Sequence, residues 1–209
     1  MTGTAPVRPA RLTERAHHWL RSCLAPGGLA VDATAGNGHD TLFLARAVGP
    51  TGCVVALDVQ QVAVDATARR LAAFEGPRAP VELHLGDHGD LHRYLGGRRA
   101  RAAVFNLGYL PGGARPVTTV AERTLAGLNG VLAALEPGGL LSVLAYPGHP
   151  GGRRETAQVL AWCRRQCAQG CAARVVRERG PSPDSPRLCI LRAVATPEAR
   201  TLGLSSREA

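Results

Sequence analysis

The feature that most constrains this chain is a short apolar run that ends in an acid, turns through two glycines and enters a helical pattern. The run covers residues 28–31 and is followed by Asp32, by Gly36 and Gly38, and by a helical pattern from Thr41 onwards. This order is typical of a strand, a tight turn and the start of a helix. Glycines let backbone N–H groups approach a ligand closely, and the helix dipole attracts negative charge. The turn therefore predicts a site for a nucleotide-type cofactor.

The length of 209 residues suffices for one domain with helices on both faces of a sheet. We expect a single domain over residues 1–209, with its core at about 16–195 and frayed ends. No apolar run reaches the length of a membrane helix, and the N-terminus does not resemble a signal peptide. We therefore expect a soluble, cytoplasmic protein without a membrane partner.

The composition narrows the classes of chemistry and of partner. All 25 basic side chains are arginine, which excludes mechanisms that need a Schiff-base or P-loop lysine. The formal net charge of +9 and a pI near 10.2 favour a polyanionic partner such as a nucleic acid. None of the six cysteines forms a C-x-x-C pair, and no metal site is predicted.

Apolar strands alternate with helical patterns along most of the chain. Strands are predicted at 29–33, 53–57, 81–85, 102–106, 140–145, 173–178 and 188–195. Helices are predicted at 12–23, 40–48, 61–74, 90–95, 117–135 (weakened near Gly127 and Gly130) and 155–169, with a turn at 136–139. The alternation predicts an α/β, Rossmann-like fold whose seven-stranded sheet is mostly parallel, with an antiparallel hairpin at one edge.

Acids at the ends of three successive strands distinguish between candidate cofactors. The dinucleotide pattern G-x-G-x-x-G is incomplete because Thr41 stands at the third glycine position, which disfavours the alternative, NAD. Asp58 could accept both ribose hydroxyls, and Asp87 could accept from an adenine amino group. Asp32 would position the methionine end of S-adenosylmethionine (SAM), directly or through water. The three acids thus favour the class I SAM-dependent methyltransferase fold, although each alone could be a helix cap.

The predicted cofactor site combines the glycine turn with these strand ends. Its residues are Asp32, Thr34, Gly36, Asn37, Gly38, Asp40, Thr41, Asp58, Gln60, Asp87 and His88. Three other histidines receive a structural interpretation: His39 belongs to the turn, and His17 and His18 lie on the surface of the first helix.

A second glycine-rich loop follows the fourth strand, at the end of the sheet where a transferable methyl group would lie. The side-chain carbonyl of Asn106 could accept a hydrogen bond from an amine nucleophile and orient it for attack. Tyr109 could stack on or flank a base. The alternative is a glycine-rich turn with a packed tyrosine. The predicted substrate-binding residues in this loop are Leu107, Gly108, Pro111 and Arg115.

A third loop, after the fifth strand, contributes Tyr146 as a substrate-binding residue and His149 as a titrating group. A surface histidine in a turn is the alternative for His149. Arg115 and Arg153 flank the loops and could hold phosphates, or be solvated surface arginines. Asn106, Tyr109 and His149 form the predicted catalytic set.

The motifs at 32–41 and 106–113 together resemble those of a family of small SAM-dependent rRNA methylases. Members of this family are tRNA methyltransferases that convert 5-aminomethyl-2-thiouridine at the wobble position to its 5-methylaminomethyl form. The resemblance extends from about Ala16 to Val194 and includes the loops at 146–149 and 185–188. It implies the anticodon region of tRNA as the partner. The sequence leaves a homodimer open as an alternative to a monomer.

The residues and the resemblance together predict a SAM-dependent tRNA N-methyltransferase. An ammonium group cannot attack a sulfonium, so the amine must first lose a proton. Asn106 and nearby carbonyls would bind the neutral amine, with solvent, Tyr109 or His149 accepting the proton. An rRNA base methyltransferase, a small-molecule amine methyltransferase and a non-catalytic SAM- or RNA-binding module remain alternatives.

Overall fold

A seven-stranded sheet with the order β3-β2-β1-β4-β5-β7-β6 runs through the computed structural model of the protein. The structure describes residues 11–108, 119–177, 182 and 184–194. The strands are β1 (Leu29–Asp32), β2 (Cys53–Asp58), β3 (Val81–Leu85), β4 (Ala100–Leu107), β5 (Leu135–Ala145), β6 (Ala172–Arg177) and β7 (Arg187–Arg192). The predicted frayed ends lie outside the described residues.

The strand directions confirm the predicted α/β class. Strands β1 to β5 pair in parallel, whereas β7 pairs antiparallel with both β5 and β6. The last two strands therefore form the expected antiparallel pair at one edge. The chain leaves β1 toward β2 on one side and reaches β4 on the other, which creates a crevice at the carboxyl ends of β1 and β4.

Helices cover both faces of the sheet. They are α1 (Leu12–Arg21), α2 (His39–Val48), α3 (Gln61–Ala72), α4 (Leu91–Leu95), α5 (Ala121–Ala134) and α6 (Gly152–Ala168), and a 3₁₀ turn (His88–Asp90) precedes α4. Helices α1 and α2 pack on one face, and α4, α5 and α6 pack on the other. Burial on both faces explains why the central strands read as continuous apolar runs. Among the described helices, none is long and apolar enough to cross a membrane.

The predicted turn at 136–139 is instead part of β5. Strand β5 begins at Leu135, and its register with β4 shifts between Ala100 and Ala102. Gly138 adopts a left-handed φ of 82°, and a Cβ on Gly139 would come within 2.9 Å of a backbone carbonyl oxygen. The glycines therefore absorb an irregularity within the paired strand rather than end it.

Helix α5 is continuous through the two glycines that predicted a weak point. Gly127 faces the 3₁₀ turn, where a Cβ would lie 2.7 Å from the carbonyl oxygen of His88. This glycine therefore permits close packing of two elements, and the contact offsets its poor helix propensity.

Candidate active site

The carboxyl ends of β1, β2, β3 and β4 surround a cavity of about 410 Å³. Its volume and its position at the crevice of the sheet are those of a small-molecule site. The structure brings many of the predicted residues to its wall: Thr34, Gly36, Asn37, Asp40, Asp58, Gln60, Asp87, His88, Asn106, Leu107, Gly108 and Tyr146. The wall also includes residues that the sequence did not single out, namely Ala33, Ala35, Val59, Thr119, Val120 and Arg123, together with His39.

The structure requires glycine at Gly36 and at Gly38 for different reasons. Both have a left-handed φ, 54° at Gly36 and 76° at Gly38. Gly36 lines the cavity, and its N–H donates to the Asp58 carboxylate at 2.9 Å. Gly38 does not line the cavity, because it faces α3 so closely that a Cβ would lie 2.9 Å from the Cα of Thr67. The predicted cofactor contact of Gly38 is therefore corrected to a packing role.

Asp58 ties the end of β2 to the glycine turn. Its two carboxylate oxygens accept from the N–H groups of Gly36, at 2.9 Å, and of Gln60, at 3.0 Å. Because each carboxylate oxygen can accept more than one hydrogen bond, the group retains acceptor capacity on the cavity side. This placement is suited to the predicted binding of two ribose hydroxyls.

Asp32 and Thr41 lie behind the cavity wall. Both are fully buried, and Thr41 Oγ1 donates to the Asp32 carboxylate at 2.6 Å. The other Asp32 oxygen accepts from the N–H of Thr34 at 3.1 Å. Burial and the nearby Asp40 carboxylate raise the pKa of Asp32 to about 7. A direct contact of Asp32 and Thr41 with a cofactor is thus corrected: they fix the shape of the turn from within, and the indirect positioning of the methionine end by Asp32 stays a prediction.

Asp87 is held by an arginine that the sequence did not single out. Its carboxylate accepts from the N–H of Gly89 at 2.7 Å and from Arg123 Nε at 3.0 Å. Burial alone would raise the pKa of Asp87, but these hydrogen bonds bring it below its ordinary value. Arg123 also binds Asp90, so it links α5 to the 3₁₀ turn. No sequence pattern marks Arg123, because the partners come from another element.

His88 lies in the same wall and is almost completely buried, which lowers its pKa. Thr124 donates its single hydroxyl proton to Glu155 at 2.6 Å. The hydroxyl oxygen of Thr124 is therefore left to accept from His88 Nε2, which lies 3.4 Å away. His88, Thr124 and Glu155 thus form one connected set of buried polar groups.

Asn106 is one of the last two residues of β4, lies at the cavity and is oriented from two sides. Its N–H donates to Thr34 Oγ1 at 2.7 Å, and its side-chain Nδ2 lies 3.4 Å from Asp40 Oδ2. With the amide nitrogen turned toward Asp40, the amide oxygen is the end suited to accept from an amine. This is the orientation that the predicted role requires.

Asp40 also binds His17, which corrects the interpretation of His17 as a surface residue. The His17 Nε2 atom lies 2.6 Å from Asp40 Oδ1, and the imidazole stacks on Phe43 with ring centroids 3.7 Å apart. The position of His17 beside the apolar face of α1, which includes Ala16 and Leu20, is the sequence signal that could have indicated partial burial.

The glycine-rich loop that follows β4 is described only at its two ends, Gly108 and Thr119. The N–H of Gly108 donates to Thr119 Oγ1 at 3.1 Å, and the N–H of Thr119 donates to the Gly108 carbonyl at 3.0 Å. Thr119 Oγ1 in turn donates to the buried Glu155 at 2.6 Å. The predicted residues Tyr109, Pro111 and Arg115 lie in the intervening segment, outside the described residues.

His149 and Arg153 are not among the residues that line the cavity. The His149 side chain is only 3% exposed, with Nδ1 3.0 Å from the Pro150 carbonyl and Nε2 3.9 Å from Glu155. The alternative of a solvated surface histidine therefore does not hold, and the predicted titrating role of His149 near the acceptor stays a prediction. Arg153 is 70% exposed and binds Asp184 through two hydrogen bonds of 2.8 and 3.1 Å. This pairing lowers the pKa of Asp184.

Within the described ranges, no group of three or more His, Cys, Asp or Glu side chains is placed to hold a metal ion.

Comparison with known proteins relates the chain to one family. A family model described as "Putative rRNA methylase" matches residues 54–190. The chloroplastic tRNA (mnm(5)s(2)U34)-methyltransferase of Arabidopsis thaliana is 37% identical over 160 residues, which cover 73% of this chain. This chain spans 58% of the length of that curated relative.

Two solved structures share most of the fold. A "putative rRNA-methylase" from Clostridium thermocellum has a TM-score of 0.81 and 27% identity, covering 90% of this chain and 100% of its own. A "putative methyltransferase" from Streptococcus mutans, in complex with S-adenosylhomocysteine (SAH), has a TM-score of 0.76 and 31% identity, covering 88% of this chain and 99% of its own.

Proposed function

Since the chain belongs to this rRNA methylase family of SAM-dependent methyltransferases, we propose that it methylates the 5-aminomethyl group of the wobble (2-thio)uridine in tRNA. The product is the corresponding 5-methylaminomethyl-(2-thio)uridine. The observation that carries this proposal is the position of Asn106, which lies near the end of β4 and lines the same cavity as Asp58. The cavity thus combines an acceptor for ribose hydroxyls with an acceptor for an amine.

The cavity wall fits SAM. Asp58 lies where the ribose would bind, and Asp87 and His88 lie at the end suited to adenine. Val59 and Val120 present exposed apolar surface beside them, as an aromatic base requires. When bound, SAM supplies a methyl group on a positively charged sulfur.

The acceptor end of the cavity fits a primary amine. Only a neutral amine has the lone pair that attacks the methyl group, so the site must bind and orient the amine after it loses a proton. The amide oxygen of Asn106 accepts one N–H of the amine, and Leu107 and Gly108 line the wall next to it. No metal is required for this step.

The identity of the acceptor as tRNA rests on the curated relative and on charge. The relative is a tRNA methyltransferase by name, and the net charge of +9 favours a polyanionic partner. The anticodon region is the part of tRNA that carries the wobble nucleoside. Arg153 contributes little to this argument, because its guanidinium is already paired with Asp184.

The test is to incubate the protein with SAM and tRNA whose wobble nucleoside carries the unmodified aminomethyl group, and to digest the tRNA for mass spectrometry. We expect that nucleoside to gain one CH₂ unit, and tRNA lacking the aminomethyl group to gain none. Ribosomal RNA and the free nucleoside serve as competing acceptors. Methylation of ribosomal RNA alone would support the rRNA alternative, and methylation of the free nucleoside that is insensitive to salt would support a small-molecule enzyme.

A further inference from the structure

The pair formed by His17 and Asp40 stands beside Asn106, at the acceptor end of the cavity. Asp40 is 9% exposed and lines the cavity. One of its oxygens lies 2.6 Å from His17 Nε2, and the other lies 3.4 Å from the amide nitrogen of Asn106. The carboxylate therefore connects a ring on α1 to the amide that would orient the acceptor.

The proposed reaction needs a proton acceptor at this position. A primary alkylamine is mostly an ammonium at neutral pH, because its pKa resembles that of lysine. An ammonium binds well to a carboxylate, but it must lose one proton before its nitrogen can attack. A carboxylate next to the orienting amide serves both steps: it attracts the cation and then takes its proton.

The other carboxylates in the wall or behind it are less suited to this role. Asp32 is fully buried and does not line the cavity. Asp58 lies at the end of β2 and accepts from two backbone N–H groups, and Asp87 is bound by Arg123. His149, the histidine that the sequence favoured, lies outside the wall. Among the described residues, Asp40 is the carboxylate that contacts Asn106.

The contacts of His17 fix its imidazole in an orientation that holds the Asp40 carboxylate in place. Its imidazole lies parallel to the Phe43 ring, with an interplanar angle of 4°, and the guanidinium of Arg21 also lies over Phe43. Stacking limits rotation of the imidazole, so Nε2–H donates to Asp40 Oδ1 and leaves Oδ2 on the side of Asn106.

Several titratable groups surround Asp40. His17 faces it from α1, Asp32 from β1, and His39 is its neighbour on α2. Burial lowers the pKa of His39, and Arg70 lowers it further. The pKa of Asp32 is raised by burial and by repulsion from Asp40. Of these two acids, burial and repulsion therefore favour the neutral form of Asp32.

We propose that Asp40 is the catalytic base, which receives the acceptor as an ammonium and takes its proton, and that His17 positions Asp40. This inference rests on the proposed function. An N–H bond of the acceptor breaks, its electron pair stays on nitrogen, and an O–H bond forms at Asp40 Oδ2. The nitrogen then bonds to the methyl group, the carbon–sulfur bond breaks, and Asp40 releases its proton to water after the product leaves.

The test compares Asp40→Asn with wild type in the tRNA assay at saturating SAM. We expect kcat to fall about 100-fold, the lower range of general-base effects, while the Kd for SAH changes less than about threefold. The matched control is Asp65→Asn, since Asp65 is an exposed residue of α3 that binds Gln61. A SAH affinity that falls more than about tenfold with kcat unchanged would mean that Asp40 holds the cofactor, and would overturn the proposal.

The His17 variants give an independent readout if Asp40→Asn fails to fold. His17→Phe can keep the stacking but loses the N–H donor, so the Asp40 carboxylate is less stabilised. We expect the acid limb of the kcat profile to move to higher pH, and His17→Gln, which retains a donor, to restore it partly. An unmoved acid limb in His17→Phe would overturn the positioning role.

The same assay distinguishes failure of the proposed function from failure of the role of Asp40. If wild type methylates no RNA, both the proposed function and the role of Asp40 as the base are wrong. If wild type methylates tRNA and Asp40→Asn does so at the same rate, only the role of Asp40 fails.

Discussion

Asp58 ends β2 with both carboxylate oxygens bound to backbone N–H groups, one in the glycine turn and one in its own loop. A carboxylate that is already oriented in this way binds ribose hydroxyls without further ordering. The residue thus fixes the local shape of the turn, and in the proposed function it would also bind the ribose of the cofactor.

Substitution Asp58→Asn tests this role because it keeps the size of the side chain and removes its charge. One amide hydrogen would then face a backbone N–H, and hydrogen bonds from the ribose would lose a charged acceptor. We expect the Kd for SAH, measured by titration calorimetry, to rise about tenfold or more. Asp65→Asn should leave it unchanged, and an equal affinity in Asp58→Asn would contradict the ribose assignment.

Asp32 predicts a pH-dependent stability. Its pKa is about 7 in the folded protein, above the ordinary value of 3.8, because burial and Asp40 disfavour its charge. A carboxyl group whose pKa is higher in the folded than in the unfolded protein stabilises the fold fully at pH values below its pKa in the unfolded protein. This contribution is lost as the pH rises through 7. Asp32→Asn does not titrate. We expect the free energy of unfolding of wild type, measured in urea, to fall by about a few kcal/mol relative to that of Asp32→Asn between pH 4 and pH 8. A difference between the two free energies that stays constant over this range would contradict the raised pKa.

At the scale of elements, the sequence predicted most boundaries because hydrophobic period and turn residues are local signals. The prediction was wrong at β5, where the residues 136–139 that predicted a turn lie within a paired strand. It was also wrong at the two glycines of α5, where the helix is continuous. In both cases the decisive contact is with another element, and a single-sequence pattern does not contain that information. The same reason explains why Arg123 and His17 were not predicted to act in the site.

The two glycines of α5 offer a matched pair of substitutions. A Cβ on Gly127 would lie 2.7 Å from a backbone oxygen of the 3₁₀ turn, whereas a Cβ on Gly130 would find nothing closer than 3.8 Å. We expect Gly127→Ala to lower the free energy of unfolding by about 1–3 kcal/mol through overpacking. Gly130→Ala should raise it by up to about 1 kcal/mol through helix propensity. Equal effects in denaturant melts would contradict this account of α5.

At the scale of the whole molecule, the strand order brings four strand ends to one cavity. The sequence predicted that Asp58, Asp87 and Asn106 end successive strands, and all three line this cavity although β1 lies between β2 and β4. The roles of Asp32, Gly38 and Thr41 differ from the prediction because burial behind the wall depends on how α2 and α3 pack. Sequence position locates a residue at the correct edge of the sheet, but packing decides which side of the wall it occupies.

The central claim is that this cavity joins a SAM site to an amine acceptor at Asn106. The most direct measurement is methyl transfer from labelled SAM to aminomethyl-bearing tRNA by wild type and by Asn106→Ala, with SAH affinity measured on both. We predict that wild type labels the wobble nucleoside and that Asn106→Ala loses about 100-fold in rate with SAH affinity unchanged within about threefold. Labelling by Asn106→Ala at the wild-type rate, or no labelling of tRNA by wild type, would contradict the account.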